Sequence, residues 1–247
     1  MNPFRTQTKT RIIKLYRCLT DPLFRRALLS HGVAAASEHR HVLGEDLTTV
    51  VDIGANRGQF SLAVRRWAPG AKVFAFEPLS KPAARFRAVF RDDPMVILQH
   101  AAIGPETGEA TIHVSMADDS SSLLPISEVQ QRLFPGTGEI GTEAIQIGRL
   151  ADFITSNDIA APAMLKLDVQ GYELEALRGS ENLLECFAYV YAECSFVELY
   201  TGQALAHEVI AWLRERGFSL SGVYNMSYDR KGRAVQGDFL FIGARGR

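Results

Sequence analysis

The spacing of apolar positions changes repeatedly along this chain, and those changes mark out its elements. From residue 48 onward, short β-branched runs alternate with stretches whose apolar residues recur every three or four positions. Thr48–Ile53 is a β-branched run ended by Gly54, which predicts a buried strand. Gly58–Trp67 carries Phe60, Val64 and Trp67 at helical spacing and is stopped by Pro69-Gly70, which predicts a helix. Lys72–Phe76 reads as the next strand, and Lys81–Phe90 as the next helix with Pro82 in its first turn. Met95–Ile103 reads as a third strand, closed by Gly104-Pro105. This alternation is what parallel βαβ units leave in a sequence, and right-handed crossovers make a doubly wound sheet its product.

The middle of the chain is less regular. Glu109–Ser115 alternates Ala110, Ile112 and Val114 with Thr111 and His113, as a half-exposed strand does. Ala117 to Gly141 is rich in Ser, Asp, Gly and Pro and predicts a long loop of the kind that carries function or lacks order. Glu143–Ile147 is a further strand, followed by a helix through Leu150, Phe153 and Ile154. The parallel pattern then resumes with a strand at Ala163–Leu167 and a helix at Tyr172–Leu184, interrupted near Gly179. A strand at Phe187–Cys194 and a helix at Ala204–Arg216 follow. Phe218–Tyr224 and Asp238–Ile242 close the sheet across a turn at Asp229–Gly232. No repeat or linker divides residues 46–247, which are expected to form one domain behind an extension at 1–45.

That extension has its own pattern. Between Arg5 and Arg26, seven basic residues face one acid, Asp21, while Ile12, Ile13, Tyr16, Leu19, Leu23 and Phe24 recur at roughly helical spacing. A helix packed on the main domain or on a partner subunit is the favoured reading. Residues 5–26 also leave room for weak contact with an anionic membrane surface and for a homo-oligomer. His31–Leu47 predicts a connecting helix and loop.

Composition narrows the function classes. The 247 residues are 47% hydrophobic with a net charge of −1, so a sizeable core can form and the basic excess of a nucleic-acid binder is absent. Cys18, Cys186 and Cys194 lack the spacing of a disulfide framework or a zinc site and predict free thiols. No apolar run reaches a membrane-spanning length, and Met1-Asn2-Pro3-Phe4-Arg5 opens no secretory leader, so a cytoplasmic location, peripheral to the inner membrane face at most, is expected.

Four places carry chemistry. In the turn Asp52-Ile53-Gly54-Ala55-Asn56-Arg57-Gly58, Gly54 lets the chain leave the strand sharply and Gly58 lets the next helix approach closely. Asp52 is placed to reach a ligand amine. A dinucleotide site would have glycine where Asn56 stands, so the amino-acid end of S-adenosylmethionine fits better than a pyrophosphate. Glu77, followed by Pro78, stands 77 − 58 = 19 residues beyond Gly58, close to where a nucleotide fold puts an acid on ribose hydroxyls. Ala101 and Ala102 leave room for a flat base. Finally, Asp168 ends a buried strand and Glu193 the next, as an acid–base pair or as two ligands of a magnesium-type ion.

Asp52 to Phe60, Glu77-Pro78, Ser120–Leu123, Lys166–Glu175 and Asp238–Phe241, in that order, resemble the FkbM-type methyltransferase family from about Glu38 to Ile242. The resemblance implies a class I, Rossmann-like fold with a seven-stranded, mostly parallel sheet. It also implies S-adenosylmethionine as donor and O-methylation, often of a sugar hydroxyl in a glycan, glycolipid or natural product. Asp52, Gly54, Asn56, Gly58 and Glu77 take donor-binding positions by that likeness. Ala55, Phe60, Pro78, Ala101, Ser121 and Asp168 adjoin them. Members often carry Glu where this chain has Gln170, so a base or metal-ligand role of that acid would fall to Asp168, Glu173 or Glu193 here; as general base Asp168 comes first, then Glu193 and His207. The acceptor is expected to be a small molecule or glycan. The rivals are a nicotinamide-dependent oxidoreductase and a protein that binds S-adenosylmethionine without turnover.

Overall fold

A computed structural model describes residues 13–246. Ten strands run through them: β1 Thr49–Ile53, β2 Lys72–Phe76, β3 Val96–Gln99, β4 Ala102–Ile103, β5 Gly108–Ser115, β6 Glu139–Gly148, β7 Ala163–Leu167, β8 Tyr189–Ser195, β9 Ser219–Tyr228 and β10 Ala234–Ile242. Six helices are labelled here: α1 Pro22–His31, α2 Gln59–Trp67, α3 Ser80–Val89, α4 Glu128–Leu133, α5 Glu173–Ser180 and α6 Ala206–Glu215. Residues 13–20 are helical as well.

Seven strands form one sheet in the order β3-β2-β1-β7-β8-β10-β9. β3, β2, β1, β7 and β8 run parallel, and β10 is antiparallel to both of its neighbours. The order reverses between β1 and β7, so the crevice at their carboxyl ends is the switch point where such sheets take ligands. Alternate residues serve two cores. Val51, Phe74 and Leu165 face Leu177, Val209 and Leu213 of α5 and α6. Val50, Val73 and Met164 face Phe24, Val64 and Phe86 of α1, α2 and α3.

Three elements differ from the sequence expectation. The run at 95–103 is two strands: β3 pairs with β2, whereas β4 turns away beyond His100-Ala101 to pair with β6 in a second sheet, order β4-β6-β5. That break lets the chain leave the main sheet at the edge of the crevice. The segment after β6 makes only short 3-10 turns at Leu150–Asp152 and Ser156–Asp158 instead of a helix. The long polar loop contains α4, whose N-cap Ser127 accepts from the Gln130 amide. Around α4, Val129 and Leu133 pack against Leu199, Tyr200 and Val235.

The N-terminal segment shares the core of the main domain. Phe24, Ala27, Val33, Ala35, Val42 and Leu43 are buried with α2 and α3, and Asp21 caps α1 through the Leu23 and Phe24 amides. Among the described residues no helix is long and apolar enough to cross a membrane.

Candidate functional site

The crevice beyond β1 and β7 is built by loops that touch through their backbones. Gly54 turns with φ +76°, and a Cβ there would lie 1.9 Å from the Asp168 carbonyl oxygen. Only glycine lets the two loops meet. Asn56, also left-handed at φ 47°, accepts from the Arg57 amide through Oδ1 and donates its own amide to Glu77 Oε2 at 2.8 Å. Glu77 Oε1 accepts from the Leu79 amide at 2.7 Å. The carboxylate is thus held from both sides at the end of β2, is 4% exposed, and still lines the cleft. Burial pushes its pKa up to about 7, against the pull of those two amides.

Gly54, Ala55, Asn56, Phe60, Glu77, Pro78, Ala101, Ser121 and Asp168 all line one cleft. Ser121 is fixed there by accepting from the Ser115 amide, and Ser122 donates to the Gln170 carbonyl at 2.6 Å. The start of the polar loop is therefore tied to the β7 loop.

Two of the expected donor positions lie elsewhere. Asp52 points from β1 toward α2, where it is fully buried, accepts from Ser61 at 2.7 Å and pairs with Lys166 Nζ at 2.8 Å. Lys166 stands opposite it in register on β7 and also donates to the Gly54 carbonyl. Burial works against that ammonium, but the Asp52 and Asp168 carboxylates overcome it and raise its pKa. Asp52 therefore supports the turn from beneath and does not itself line the cleft. Gly58 is a packing residue: a Cβ there would stand 2.5 Å from Phe90.

The acid pair is joined by an amide. Gln170 Nε2 donates to Asp168 Oδ1 at 2.7 Å and to Glu193 Oε2 at 3.0 Å, while Tyr200 donates to Gln170 Oε1 at 2.8 Å. Glu193 Oε1 takes a further bond from Gln236 at 2.8 Å. Burial, reinforced by the charges of Asp168 and Asp238, raises the pKa of Glu193 well above the ordinary range. Glu193 is partly buried and does not line the cleft, whereas Asp168 stands in it with 43% of its side chain exposed. Among the described residues no three His, Cys, Asp or Glu side chains are grouped to hold a metal ion. The Gln170 amide takes the place between the carboxylates where an ion would have to sit. His207 is on the wet face of α6, since Ala206, Val209 and Leu213 take the buried one, and it does not line the cleft.

Sequence reasoning missed several cleft residues, among them Lys14, Glu38 and His39. Lys14 pairs with Glu38 at 2.8 Å. His39 sits in the 3-10 turn Ser37–Val42, edge-on to the Phe60 and Tyr191 rings. No local motif marks these residues. Their only signal is their place just before a strand whose carboxyl end carries the ligand turn.

Comparison with known proteins agrees with the geometry. A family model described as "Methyltransferase FkbM domain" matches residues 52–220. The chain is similar to the 2-O-methyltransferase NoeI of Sinorhizobium fredii, 29% identical over 165 residues covering 62% of this chain and 66% of that one, just under two thirds of the relative. It is also similar to the 31-O-demethyl-FK506 methyltransferase FkbM of Streptomyces tacrolimicus, 31% identical over 196 residues, 69% of this chain and 72% of that one. Among solved structures, magnesium protoporphyrin IX methyltransferase from Synechocystis, with bound SAM, aligns over 95% of this chain and 96% of its own at TM-score 0.47 and 12% identity.

Proposed function

The chain belongs to the FkbM methyltransferase family, and from that premise we propose that it transfers a methyl group from S-adenosylmethionine to a hydroxyl of a sugar or hydroxylated natural product. The observation that carries the donor reading is Glu77. Its carboxylate is held by the Asn56 and Leu79 amides in the cleft at the sheet's switch point, between the glycine turn and the small residues Ala101 and Ala102. An acid in that setting accepts both hydroxyl hydrogens of a ribose. Gly54 and Asn56 would hold the amino-acid end, and Ala101 with Ala102 would leave the flat base its space.

The charges of the cleft favour a neutral acceptor. Both lysines that line it are already paired, Lys14 with Glu38 and Lys166 with Asp52. Glu38, Glu77, Asp118, Asp119 and Asp168 line it as acids. A pyrophosphate or phosphate would meet unfavourable charge here. Hydroxyls would find acceptors, and Glu38 Oε2 is a buried oxygen with no donor of its own among the described residues.

Bound in this cleft, S-adenosylmethionine supplies a methyl group already activated by its sulfonium. The chain's own task is to align the acceptor oxygen, exclude water and take up the hydroxyl proton. Asp168 and His39 are the groups in the cleft with room to do so; Glu193 is occupied by two amide donors. Mg2+ has no role in this reading.

Outside the cleft, Leu15, Tyr16 and Leu19 are 56%, 68% and 45% exposed on the N-terminal helix, beside Arg25 and Arg26 of α1. We propose weak contact of this segment with an anionic membrane surface at the cytoplasmic face, which co-sedimentation with phosphatidylserine vesicles tests. For the reaction itself, release of S-adenosylhomocysteine with a panel of methyl glycosides supports the proposal. Tight nicotinamide binding without affinity for S-adenosylmethionine refutes it.

A further inference from the structure

One side-chain amide ties together the acids at the carboxyl end of the sheet. Gln170 Nε2 gives one proton to Asp168 Oδ1 at 2.7 Å and the other to Glu193 Oε2 of β8 at 3.0 Å. Turned the other way, the amide would set its oxygen against Asp168 with no proton between two acceptors. Tyr200, 1% exposed, donates to Gln170 Oε1 at 2.8 Å. Gln236 of β10 donates to the remaining Glu193 oxygen at 2.8 Å, so the far end of this chain of bonds is anchored. The Gln170 backbone is held as well: its carbonyl accepts from Ser122 at 2.6 Å, and its φ of 54° is left-handed. A residue other than glycine keeps that conformation where its surroundings over-determine it. Gly171 follows at φ +95°, and a Cβ there would stand 2.9 Å from the Tyr200 ring, so the ring closes directly on this turn.

The clamp engages one oxygen of Asp168 and leaves the other. Among the described residues Oδ2 accepts no hydrogen bond, the nearest cation, Lys166 Nζ, being 4.0 Å away. Oδ2 is not one of the buried polar atoms lacking a partner, and Asp168 lines the cleft with 43% of its side chain exposed. Oδ2 is therefore the carboxylate oxygen that meets what the cleft holds. We propose that Gln170, backed by Tyr200, is the positioning residue that holds Asp168 as the general base, with Oδ2 turned to the acceptor hydroxyl. This rests on the methyl-transfer reading above. As the acceptor oxygen bonds to the methyl carbon, the donor's carbon–sulfur bond breaks and its electron pair stays on sulfur. The hydroxyl proton passes to Oδ2 and later leaves to water. A carboxylate free to rotate would spend much of its time out of line with the hydroxyl. The amide removes that freedom before the acceptor arrives.

Gln170→Asn separates this role from the needs of the turn. Asparagine suits a left-handed backbone but is one methylene too short to reach both carboxylates. Its melting temperature and its affinity for S-adenosylmethionine are expected to stay as in the wild type. With a methyl glycoside that the wild type methylates, kcat falls about 10- to 100-fold at unchanged KM, and Tyr200→Phe, which removes only the hydroxyl, lowers kcat in the same sense. The clamp itself is read by NMR on 15N-labelled wild-type protein, the Gln170 side-chain amide being assigned by its loss in Gln170→Asn. Both amide protons resonating downfield of a free glutamine, with one returning in Asp168→Ala, is the expected result. A pair at the free position overturns the proposal and needs no acceptor to be known. Undiminished kcat in Gln170→Asn, with the wild type turning over, overturns the positioning role alone. A wild-type protein that binds no S-adenosylmethionine, or methylates none of the glycosides, overturns the methyl-transfer reading and the inference with it.

Discussion

Lys166 Nζ sits 2.8 Å from Asp52 Oδ1, directly across the parallel pair β1–β7, with 7% and 0% of the two side chains exposed. The pair lies under the glycine turn, and the same ammonium holds the Gly54 carbonyl at 3.0 Å. Removing one partner leaves the other as a buried lone charge. Lys166→Met is expected to lose about 3–5 kcal/mol of stability, and Lys166→Met with Asp52→Asn should regain part of it. Chemical denaturation of the two singles and the double measures this coupling.

Glu77 gives the cleft a pH dependence. With its carboxyl pushed up to about 7 by burial, ionisation is incomplete near neutrality, and only the ionised form accepts from two hydroxyls. Donor affinity should therefore rise between about pH 6 and 8, and Glu77→Gln should flatten that slope and weaken binding about tenfold or more. Stability has the opposite sign. The folded pKa lies above the ordinary 4.5, so between those values the folded state binds the proton more strongly and stability falls as pH rises. Calorimetric titration and thermal melts across that range check both signs.

Gly54→Ala tests the loop crossing. The added Cβ would meet the Asp168 carbonyl at 1.9 Å with the backbone at φ +76°. Strain alone costs about 1–3 kcal/mol, and the β7 loop must move as well. The variant should melt lower and lose donor binding, whereas Gly232→Ala, at φ +78° in an open turn with nothing within 4 Å, should lose stability but retain binding.

Gln170 offers a test of metal dependence. Its amide joins Asp168 to Glu193, so turnover of the natural protein should be unchanged by a chelator. Gln170→Glu replaces that donor with a third carboxylate. The variant is expected to lose activity near neutrality and to gain a melting-temperature increase with Mn2+ that the natural protein lacks.

Much of this arrangement was legible along the chain because it follows from order and spacing. The βαβ pattern led to the parallel sheet, and the interval from Gly58 to Glu77 located the acid that ends β2. That Asp52 is turned under the turn was not legible, because a strand shows its alternation but not which face an acid will find covered; Ser61 and Lys166 cover this one. The break at His100-Ala101 was hidden in a continuous apolar run, since it depends on β4 finding β6 some forty residues later. His39 was out of reach for a similar reason. Its partners Tyr191, Asn225 and Asp238 come from strands near the other end of the chain, and only the folded sheet brings them behind it.

The most direct test of the account is isothermal titration of S-adenosylmethionine into the natural protein and into Glu77→Gln at about pH 8, with NAD as the comparison ligand. One donor site in the natural protein, weakened about tenfold or more in the variant, and no heat from NAD is the expected result. Absence of donor binding, equal affinity in the two proteins, or preference for NAD would contradict it.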